Sequence, residues 1–136
     1  MSRLALPALV GLITLSGCSA SGPDTDDVLF ETTADAYAPG DRVTVRLVNE
    51  TDGALGYNLC HTAVEVRRGG AWAPASPGGG ASACLDVLLF LEAGGVADRA
   101  LTLPDDLAAG PYRLVTDVEL IGDGRRFEVA ARFAVR

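Results

Sequence analysis

The sequence predicts an all-β fold in which two antiparallel sheets pack face to face. About seven to eight short segments alternate apolar and polar residues, which is the period of a strand with one buried face. Turn-forming Gly, Pro and Asp residues separate these segments. No segment carries the longer period of an extended amphipathic helix. Many short strands separated by turns are typical of a β-sandwich.

The clearest predicted strand covers residues 42–49. In it, Val43, Val45 and Leu47 alternate with polar side chains, so these three residues are expected to face the core. A shorter strand over 28–32 precedes it, and a Tyr-Ala-Pro-Gly-Asp turn lies between the two. Proline presets the backbone angle of such a turn, and glycine permits a positive one.

The middle of the chain predicts three further strands. Residues 55–67 are apolar enough for one strand that is kinked near Cys60, and a Gly-Gly hairpin leads into a strand over 71–73. Residues 74–83 contain two prolines and three consecutive glycines, and they predict a loop. A strongly apolar strand is expected over 84–91.

Three strands close the predicted domain, at 99–103, 112–120 and 126–135. A Gly-Asp-Gly hairpin joins the last two, and both alternate strictly, so each is expected to bury one face. The expected inward-facing residues are Tyr112, Leu114, Thr116, Val118 and Leu120 in one strand and Phe127, Val129, Ala131, Phe133 and Val135 in the other.

The first residues of the chain predict an export signal. Arg3 supplies a positive charge, and residues 4–15 form an apolar run that leads into a Leu-Ser-Gly-Cys sequence ending at Cys18. A transmembrane helix needs about 20 apolar residues. This run of twelve residues is shorter and is interrupted by Pro7 and Gly11. A basic start, a brief apolar middle and small residues before a cleavage site are typical of an export signal.

This segment resembles the lipobox of bacterial lipoproteins, in which the signal peptide is removed before a cysteine that carries a diacylglycerol. The resemblance implies a signal peptide over 1–17, a lipidated Cys18 and flexible tether over 18–27, and one domain over 28–136. It also implies that membrane lipid is a partner through the acylated cysteine, in the bacterial cell envelope. Residue 19 is Ser rather than Asp, which implies the outer membrane if the cell is Gram-negative.

The charge of the chain argues against nucleic acid as a partner. Without residues 1–17 the chain keeps 18 acidic and 10 basic residues, so its formal charge is 10 − 18 = −8. Binding to phosphates needs a basic face, and none is visible. Asp24, Asp26 and Asp27 lack the ligand spacing, the glycine and the distal glutamate of a calcium loop. No metal or other cofactor is therefore predicted.

Cys60 and Cys84 are expected to form a disulfide. They are the only cysteines left once Cys18 is lipidated, and export brings them to an oxidising compartment. The closed loop would span 84 − 60 + 1 = 25 residues, for which chain entropy gives about 3.5 kcal/mol of stabilisation. The alternative is a metal or redox pair completed by His61. That histidine is the only one in the chain, whereas a structural zinc needs four ligands.

A tyrosine corner is predicted at Tyr112, which starts a late strand directly after a glycine turn. A wider set of residues shares its pattern with one family: Tyr37-x-Pro39-Gly40-Asp41-x-Val43-x-Val45-x-Leu47-x-Asn49, Cys60, Gly70-x-Trp72, Cys84, Gly110-x-Tyr112-Arg113-Leu114 and Phe133-x-Val135. On these residues the chain resembles bacterial immunoglobulin-like domains, which are often found in lipoproteins. The resemblance covers most of residues 28–136 and implies an immunoglobulin-like β-sandwich. Antibody-type domains place a cysteine two residues after the corner tyrosine, whereas this chain has Leu114 there, so its disulfide must be a different one.

No catalytic set is visible in the sequence. A serine triad needs a histidine base with an orienting acid, and no Gly-x-Ser-x-Gly elbow accompanies His61. Asp105 and Asp106 are adjacent acids that are expected to cap a surface turn. The protein is therefore not expected to be an enzyme.

Two surfaces are candidates for binding. One is an aromatic platform of Trp72 and Tyr57, and the other is the loop with Gly78, Gly79 and Gly80 beside the predicted disulfide. The expected function is a non-catalytic protein-interaction or structural module, with an envelope protein as its partner. A protease-inhibitor-like sandwich and a carbohydrate-binding module are the alternatives. The sequence leaves the oligomeric state open.

Overall fold

The computed structural model describes residues 25–75 and 84–136. Ten strands fall within these residues, together with short 3-10 turns at Thr25–Asp27 and Leu59–His61. The strands are β1 (Val28–Thr32), β2 (Ala36–Tyr37), β3 (Arg42–Asn49), β4 (Leu55–Tyr57), β5 (Ala63–Arg68), β6 (Ala71–Pro74), β7 (Leu89–Leu91), β8 (Val96–Thr102), β9 (Gly110–Leu120) and β10 (Arg126–Val135). None of the helical segments in the described ranges is long and apolar enough to cross a bilayer.

The strands form two sheets, which confirms the predicted all-β sandwich. The smaller sheet has the order β1-β3-β8, and its strands are antiparallel. The larger sheet has the order β2-β10-β9-β4-β7, and β5 and β6 extend it beside β9. The short β2 pairs with β10 in the parallel direction, so the predicted purely antiparallel arrangement holds for every pair except this one among the described strands.

The core lies between the two sheets and follows the predicted alternation. In β3, the fully buried side chains are those of Val43, Val45 and Leu47. In β9, the exposed fractions of Leu114 and Val118 do not exceed 1%. Each strand turns alternate residues inward, so two such faces together exclude water from an apolar layer. Burial of this layer is the main source of the stability of the sandwich.

The predicted tyrosine corner matches the geometry at the start of β9. The Tyr112 hydroxyl donates a hydrogen bond of 2.7 Å to the carbonyl oxygen of Ala108, four residues upstream. The Tyr112 ring is buried and stacks on Phe133 of β10, with ring centroids 5.9 Å apart. Backbone bonding of this kind is a hallmark of immunoglobulin-like sandwiches, and the domain has that fold.

The predicted turn before β3 is also present. Asp41 accepts a hydrogen bond of 2.8 Å from the Ala38 backbone N–H through its carboxylate, and Gly40 has a φ of +80°. A positive φ of this size favours glycine over residues that carry a Cβ atom.

Three predicted strands differ from the structure. The strand expected over 99–103 begins earlier and is β8, Val96–Thr102. The single strand expected over 55–67 is two strands, β4 and β5, because a 3-10 turn at Leu59–His61 separates them. The Asn58 side chain accepts a hydrogen bond from the Cys60 N–H and so caps this turn. The strand expected over 84–91 is reduced to β7, since residues before Leu89 are not paired in a ladder.

Candidate functional site

A large bulge interrupts the larger sheet beside β9. In the pairing register, Tyr57 of β4 lies opposite Val118 and Ala63 of β5 lies opposite Val115. Between these pairs, residues 58–62 therefore face only Thr116 and Asp117 of β9. A bulge of one extra residue already bends a strand. Here three extra residues leave the plane of the sheet and open a gap beside β9.

A cleft with a volume of about 330 Å³ lies at this gap. Three groups of residues line it: the end of β4 with the bulge, the segment that precedes β7, and the neighbouring parts of β9 and β10. The lining residues are Gly56, Tyr57, Asn58, His61, Ala63, Asp86, Val87, Leu88, Val115, Thr116, Asp117, Val118, Glu119, Arg126 and Glu128.

The predicted disulfide joins the bulge to the segment that precedes β7. Cys60 of the bulge and Cys84 are bonded, with their Cα atoms 5.7 Å apart, which confirms the pairing. From the same bulge, the Asn58 side-chain amide donates hydrogen bonds of 2.9 Å to the carbonyl oxygens of Leu85 and Val87. The bulge thus holds the segment before β7 by one covalent bond and two hydrogen bonds.

A second side-chain amide, which is buried, holds the other end of this segment. Asn49, at the end of β3, is 0% exposed, and its side-chain amide donates to the carbonyl oxygens of Leu91 and Gly53 at 2.9 and 2.8 Å. Its backbone carbonyl accepts a hydrogen bond of 2.7 Å from Gly94. Because buried polar groups are costly to leave unpaired, these bonds fix the position of β7 relative to the smaller sheet.

The segment held in this way exposes large apolar side chains. Phe90 is 64% exposed, and Leu88 lies over the larger sheet with Ile121. Gly56 permits this close approach, since a Cβ atom there would lie 3.0 Å from Leu88 Cδ1 and 3.2 Å from Ile121 Cδ1. We call Leu88, Phe90 and Ile121 the apolar rim. The exposed large apolar residues of the whole segment are Leu85, Val87, Leu88, Leu89 and Phe90.

The wall of the cleft carries an excess of negative charge. Its lining contains four carboxylates and one guanidinium, so its formal charge is 1 − 4 = −3 with His61 neutral. Asp117 lies directly opposite Glu128 in the β9–β10 ladder, and like charges in that position repel each other. Arg126 lies 3.8 Å from Glu119, and Arg113 lies 3.2 Å from Glu128.

Trp72 and Tyr57 do not form a common platform. Trp72 lies opposite Arg67 in the β5–β6 pair, on the face of the sheet that points away from the core. Tyr57 lies opposite the buried Val118, so its side chain is on the core side, where it packs against the core cluster. Residues directly opposite each other share a face of the sheet, so the two rings lie on opposite faces.

The Trp72 ring is already in contact with cationic side chains. The guanidinium of Arg113 lies 4.8 Å from the ring centroid, and those of Arg67 and Arg132 lie 5.8 and 5.9 Å from it. Arg113 also donates a hydrogen bond of 2.7 Å to Glu65. This arrangement is a cation–π cluster, which stabilises the outer face of the sheet.

Other predicted site residues lie outside the ranges that the structure describes. They are Cys18, the proposed lipidation site, and the loop glycines Gly78, Gly79 and Gly80. Within the described ranges, no group of three His, Cys, Asp or Glu side chains is placed to hold a metal ion.

Sequence reasoning assigned no role at or near the cleft to Asn49, Asn58 and Asp117. Asn58 stands two residues before Cys60, and an asparagine near a predicted kink is a common cap. Asn49 belongs to the motif shared with bacterial immunoglobulin-like domains, but that motif does not predict its contact with Leu91. The position of Asp117 opposite Glu128 depends on strand register, which no local pattern marks.

Comparisons with known proteins assign no family. No family model matches the sequence, and no curated protein matches it. Among solved structures, the Bacillus subtilis sporulation control protein Spo0M is 16% identical, with a TM-score of 0.46 over 81% of this chain and 49% of that one. The present chain thus spans about half the length of that protein.

Two other solved structures have similar sequence identity to this chain and lower TM-scores. A PapD-like domain of human CEP192 is 17% identical, with a TM-score of 0.44 over 99% of this chain and 96% of that one. The Pseudomonas fluorescens alkylpurine DNA glycosylase AlkC is 17% identical, with a TM-score of 0.38 over 81% of this chain and 30% of that one. No residue of the cleft is assigned from these structures.

Proposed function

We propose that this protein is a bacterial envelope lipoprotein whose immunoglobulin-like domain serves as a non-catalytic protein-interaction module. One observation carries the proposal. Residues 85–90 expose large apolar side chains beside the cleft, and the fold holds them in that position. The export and lipidation pattern that ends at Cys18 and the pattern of a bacterial immunoglobulin-like family support the location and the class.

The way in which the apolar segment is held favours a binding role. Large contiguous apolar patches on a protein surface commonly mark interaction sites. Here the side chains of Asn49 and Asn58 donate hydrogen bonds to backbone carbonyl oxygens of the segment. The disulfide joins Cys84, just before the segment, to Cys60. The large apolar side chains of the segment remain exposed. The exposure therefore follows from specific bonds and not from a lack of structure.

Carbohydrate binding through Trp72 is a weaker candidate. A sugar ring would need an open face of the indole, whereas three guanidinium groups lie within 6 Å of the ring centroid. No observation in the described ranges favours a protease-inhibitor role over a general interaction role.

Site-specific photo-crosslinking in the native envelope tests the interaction role. A photoreactive amino acid replaces Phe90 in the full-length protein, and the matched control replaces Leu29, an exposed apolar residue on the smaller sheet. We expect a discrete protein adduct from position 90 and none from position 29. The absence of any protein adduct at position 90 would contradict the proposal.

Lipidation needs a separate test. Replacement Cys18→Ser removes the sulfur that would carry the lipid, and the full-length variant should lose the mass of a diacylglycerol and leave the membrane fraction. Mass spectrometry of the N-terminal peptide together with membrane fractionation measures both effects. A variant that stays with the membrane would show that another feature anchors the chain.

A further inference from the structure

We propose that the cleft beside β9 binds an α-aminoacyl group, which is an ammonium next to a carbonyl group, as at the free amino terminus of a peptide. Asp117 provides both contacts. Its carboxylate binds the ammonium, and its backbone N–H donates to the carbonyl oxygen. This inference goes beyond the proposed function, because it assigns a ligand to the cleft, whereas the proposed function concerns the exposed segment 85–90.

The backbone N–H of Asp117 points into the gap between β4 and β5. In an antiparallel ladder, alternate residues direct both their N–H and their C=O to the same neighbouring strand. On the β4 side, the Ile121 N–H donates to the carbonyl oxygen of Ala54 at 3.0 Å. On the β10 side, the Leu120 N–H donates to the carbonyl oxygen of Arg125 at 2.9 Å. The odd-numbered residues of β9 therefore direct their N–H groups towards β4 and β5.

The bulge leaves the Asp117 N–H without a strand partner. On one side of it, Glu119 lies opposite Gly56 of β4, and on the other side Val115 lies opposite Ala63 of β5. No residue of β4 or β5 lies opposite Asp117, and among the described residues no turn or loop carbonyl accepts a hydrogen bond from its N–H. Backbone donors inside a sheet are normally paired. This N–H can therefore donate to a ligand without breaking a bond within the protein.

A second polar group without a partner lies at the neighbouring residue. Thr116 lines the same cleft and is 4% exposed, and its Oγ1 has no hydrogen-bond partner among the described residues. Unpaired buried polar groups are uncommon in native proteins. Two unpaired groups at adjacent residues of a central strand indicate that the protein itself does not complete the hydrogen bonding at this point, which is independent of the charge of the cleft.

The carboxylate of Asp117 can bind the ammonium. Two other carboxylates of the lining already have arginine partners, since Glu128 lies 3.2 Å from Arg113 and Glu119 lies 3.8 Å from Arg126. By contrast, Asp117 is exposed and has no ion pair within the part of the chain that the structure describes. A hydrogen bond between an ammonium and a carboxylate is roughly twice as strong as a neutral one.

The proximity of the two binding groups selects the class of ligand. Both groups belong to Asp117, so the ligand groups that pair with them must also lie close together. In an α-aminoacyl group, a single carbon atom separates the ammonium from the carbonyl group. A lysine side chain has no such carbonyl and would leave the Asp117 N–H unpaired. A free amino acid carries a carboxylate, which the lining with its formal charge of −3 repels.

The size of the gap favours the end of a peptide over its middle. Val115 and Val118 are paired on the two sides of the gap, and three steps along a strand span about 10 Å. A chain that continued in both directions would meet β4 at one end and β5 at the other. The cleft volume of about 330 Å³ is near the lower end for ligand sites, so it suits one terminal residue. Gly56, Ala63 and Val87 in the lining leave room for a small apolar side chain.

The first test measures fluorescence anisotropy of labelled peptides with the full-length protein in phosphatidylcholine nanodiscs at about pH 6.5, where an α-amino group is protonated. The probe is an Ala-Ser-Ala peptide with a free amino terminus and a dye at its carboxyl end. The matched probe is acetylated at the amino terminus, which removes the charge. We expect acetylation to weaken binding at least about tenfold. Equal affinities, or no saturable binding of the free-amino probe, would overturn the proposal.

Two unlabelled competitors distinguish an aminoacyl group from a simple cation. Alaninamide carries an ammonium next to a carbonyl group, whereas n-propylamine carries the ammonium alone. We expect alaninamide to displace the probe at a concentration at least about tenfold lower than n-propylamine does. Equal potency of the two competitors would show that the cleft binds any small cation and would overturn the proposal.

Hydrogen exchange tests the backbone contact directly. In the free protein, the Asp117 amide should exchange faster than the paired amides of Val115 and Glu119. Saturating alaninamide should slow the exchange at Asp117 at least about tenfold, because its carbonyl oxygen then accepts from this N–H. Electron-transfer mass spectrometry resolves the single amides. An Asp117 amide that is already protected in the free protein, or that alaninamide does not protect, would contradict the proposed contact.

Two variants locate the binding site. Asp117→Asn keeps the backbone N–H and removes the negative charge, so it should weaken binding of the free-amino probe about tenfold. Its denaturation midpoint should not fall, because the replaced side chain is exposed. Ala63→Phe fills the gap and should abolish binding. The matched controls Asp106→Asn and Ala71→Phe change exposed residues outside the cleft and should leave binding unaltered. Full affinity of both cleft variants would overturn the proposal.

The outcomes also separate this inference from the proposed function. If photo-crosslinking at position 90 yields a protein adduct but the free-amino probe does not bind, the ligand of the cleft is wrong and the interaction role stands. If the probe binds as expected but position 90 yields no protein adduct, the ligand of the cleft stands and the interaction role is wrong.

Discussion

At the scale of single residues, buried polar side chains in this protein differ in how well they are paired. The amide of Asn49 donates to two carbonyl oxygens, and its side-chain oxygen accepts from Thr51 at 2.6 Å. Thr116 is 4% exposed, and among the described residues its Oγ1 is the buried side-chain polar atom that has no hydrogen-bond partner. An unpaired buried hydroxyl costs about 1–3 kcal/mol.

Replacement Thr116→Val should therefore stabilise the protein by about 1 kcal/mol, because valine has a similar shape and no polar atom. Urea denaturation followed by circular dichroism measures the change. The matched control is Val118→Thr, which places a hydroxyl at a buried position two residues along the same strand and should destabilise by about 1–3 kcal/mol. A loss of stability on Thr116→Val would mean that the hydroxyl has a partner in solution.

The ion pair between Arg46 and Asp98 predicts a pH dependence of stability. Arg46 donates hydrogen bonds of 2.9 and 3.1 Å to the Asp98 carboxylate, and these hold the pKa of Asp98 below its ordinary value of 3.8. A carboxyl with a lowered folded-state pKa stabilises the fold above its ordinary pKa, and the effect is lost as the pH falls through the folded-state pKa. Both side chains are about half exposed, so the effect is small.

Replacement Asp98→Asn should accordingly lower the urea midpoint at pH 7 and leave it unchanged at a pH below the folded-state pKa of Asp98. The control Asp106→Asn alters an exposed carboxylate and should show no such pH-dependent difference. A constant difference between wild type and Asp98→Asn at all pH values would exclude the ion pair as the cause.

At the scale of secondary structure, the bulge between β4 and β5 determines the candidate site. The hydrogen bonds from Asn58 and the Cys60–Cys84 bridge connect this bulge to the segment before β7. The bridge closes a loop with a sequence separation of 24 residues. It acts mainly on the unfolded chain, whose conformational freedom it restricts.

The double replacement Cys60→Ser with Cys84→Ser should lower the free energy of unfolding by about 3 kcal/mol. Denaturation with and without a reducing agent gives the comparison. Reduced wild type should fall to the stability of the double variant, and the variant itself should not respond to the reducing agent. If reduction leaves the wild type unchanged, the bridge does not contribute to stability.

At the scale of the whole molecule, β9 and β10 form the centre of the larger sheet. Their ladder joins ten residue pairs, from Arg126 with Glu119 to Val135 with Gly110. β9 is flanked by β10 on one side and by β4 and β5 on the other, whereas β7 lies at the edge of the described sheet. Central strands open only in large unfolding events, and edges open locally.

Native-state hydrogen exchange should reproduce this order. The Leu114 amide, at the centre of the sheet, should exchange at least about 100-fold more slowly than the unpaired amides of β7. Mass spectrometry of peptic fragments, or NMR, measures the rates. Equal protection of β7 and β9 would indicate that another strand covers the β7 edge in solution.

Local sequence patterns predicted most of the fold because strand periodicity is a local property. The alternation in β3, β9 and β10 predicted most of the buried residues, and the register confirms these. Phe127 is only partly buried, and Val115, on the opposite face of β9, is buried as well. The break at Leu59–His61 was not predicted, because the apolar runs on its two sides look continuous in sequence. The parallel strand β2 has two residues, which is too short for any periodic pattern.

Sequence patterns alone predicted the all-β class, the turn before β3 and the buried faces of the long strands. They predicted Cys84 as the partner of Cys60 only together with the expected lipidation of Cys18. These depend on residue types, on local spacing and on the number of cysteines. The cleft, the position of β7 at the edge of the described sheet and the placement of Trp72 and Tyr57 on opposite faces follow from long-range strand pairing. A bulge changes which residues of a strand face the core. Pairing with strands that are distant in sequence sets the register, so local patterns do not predict these features.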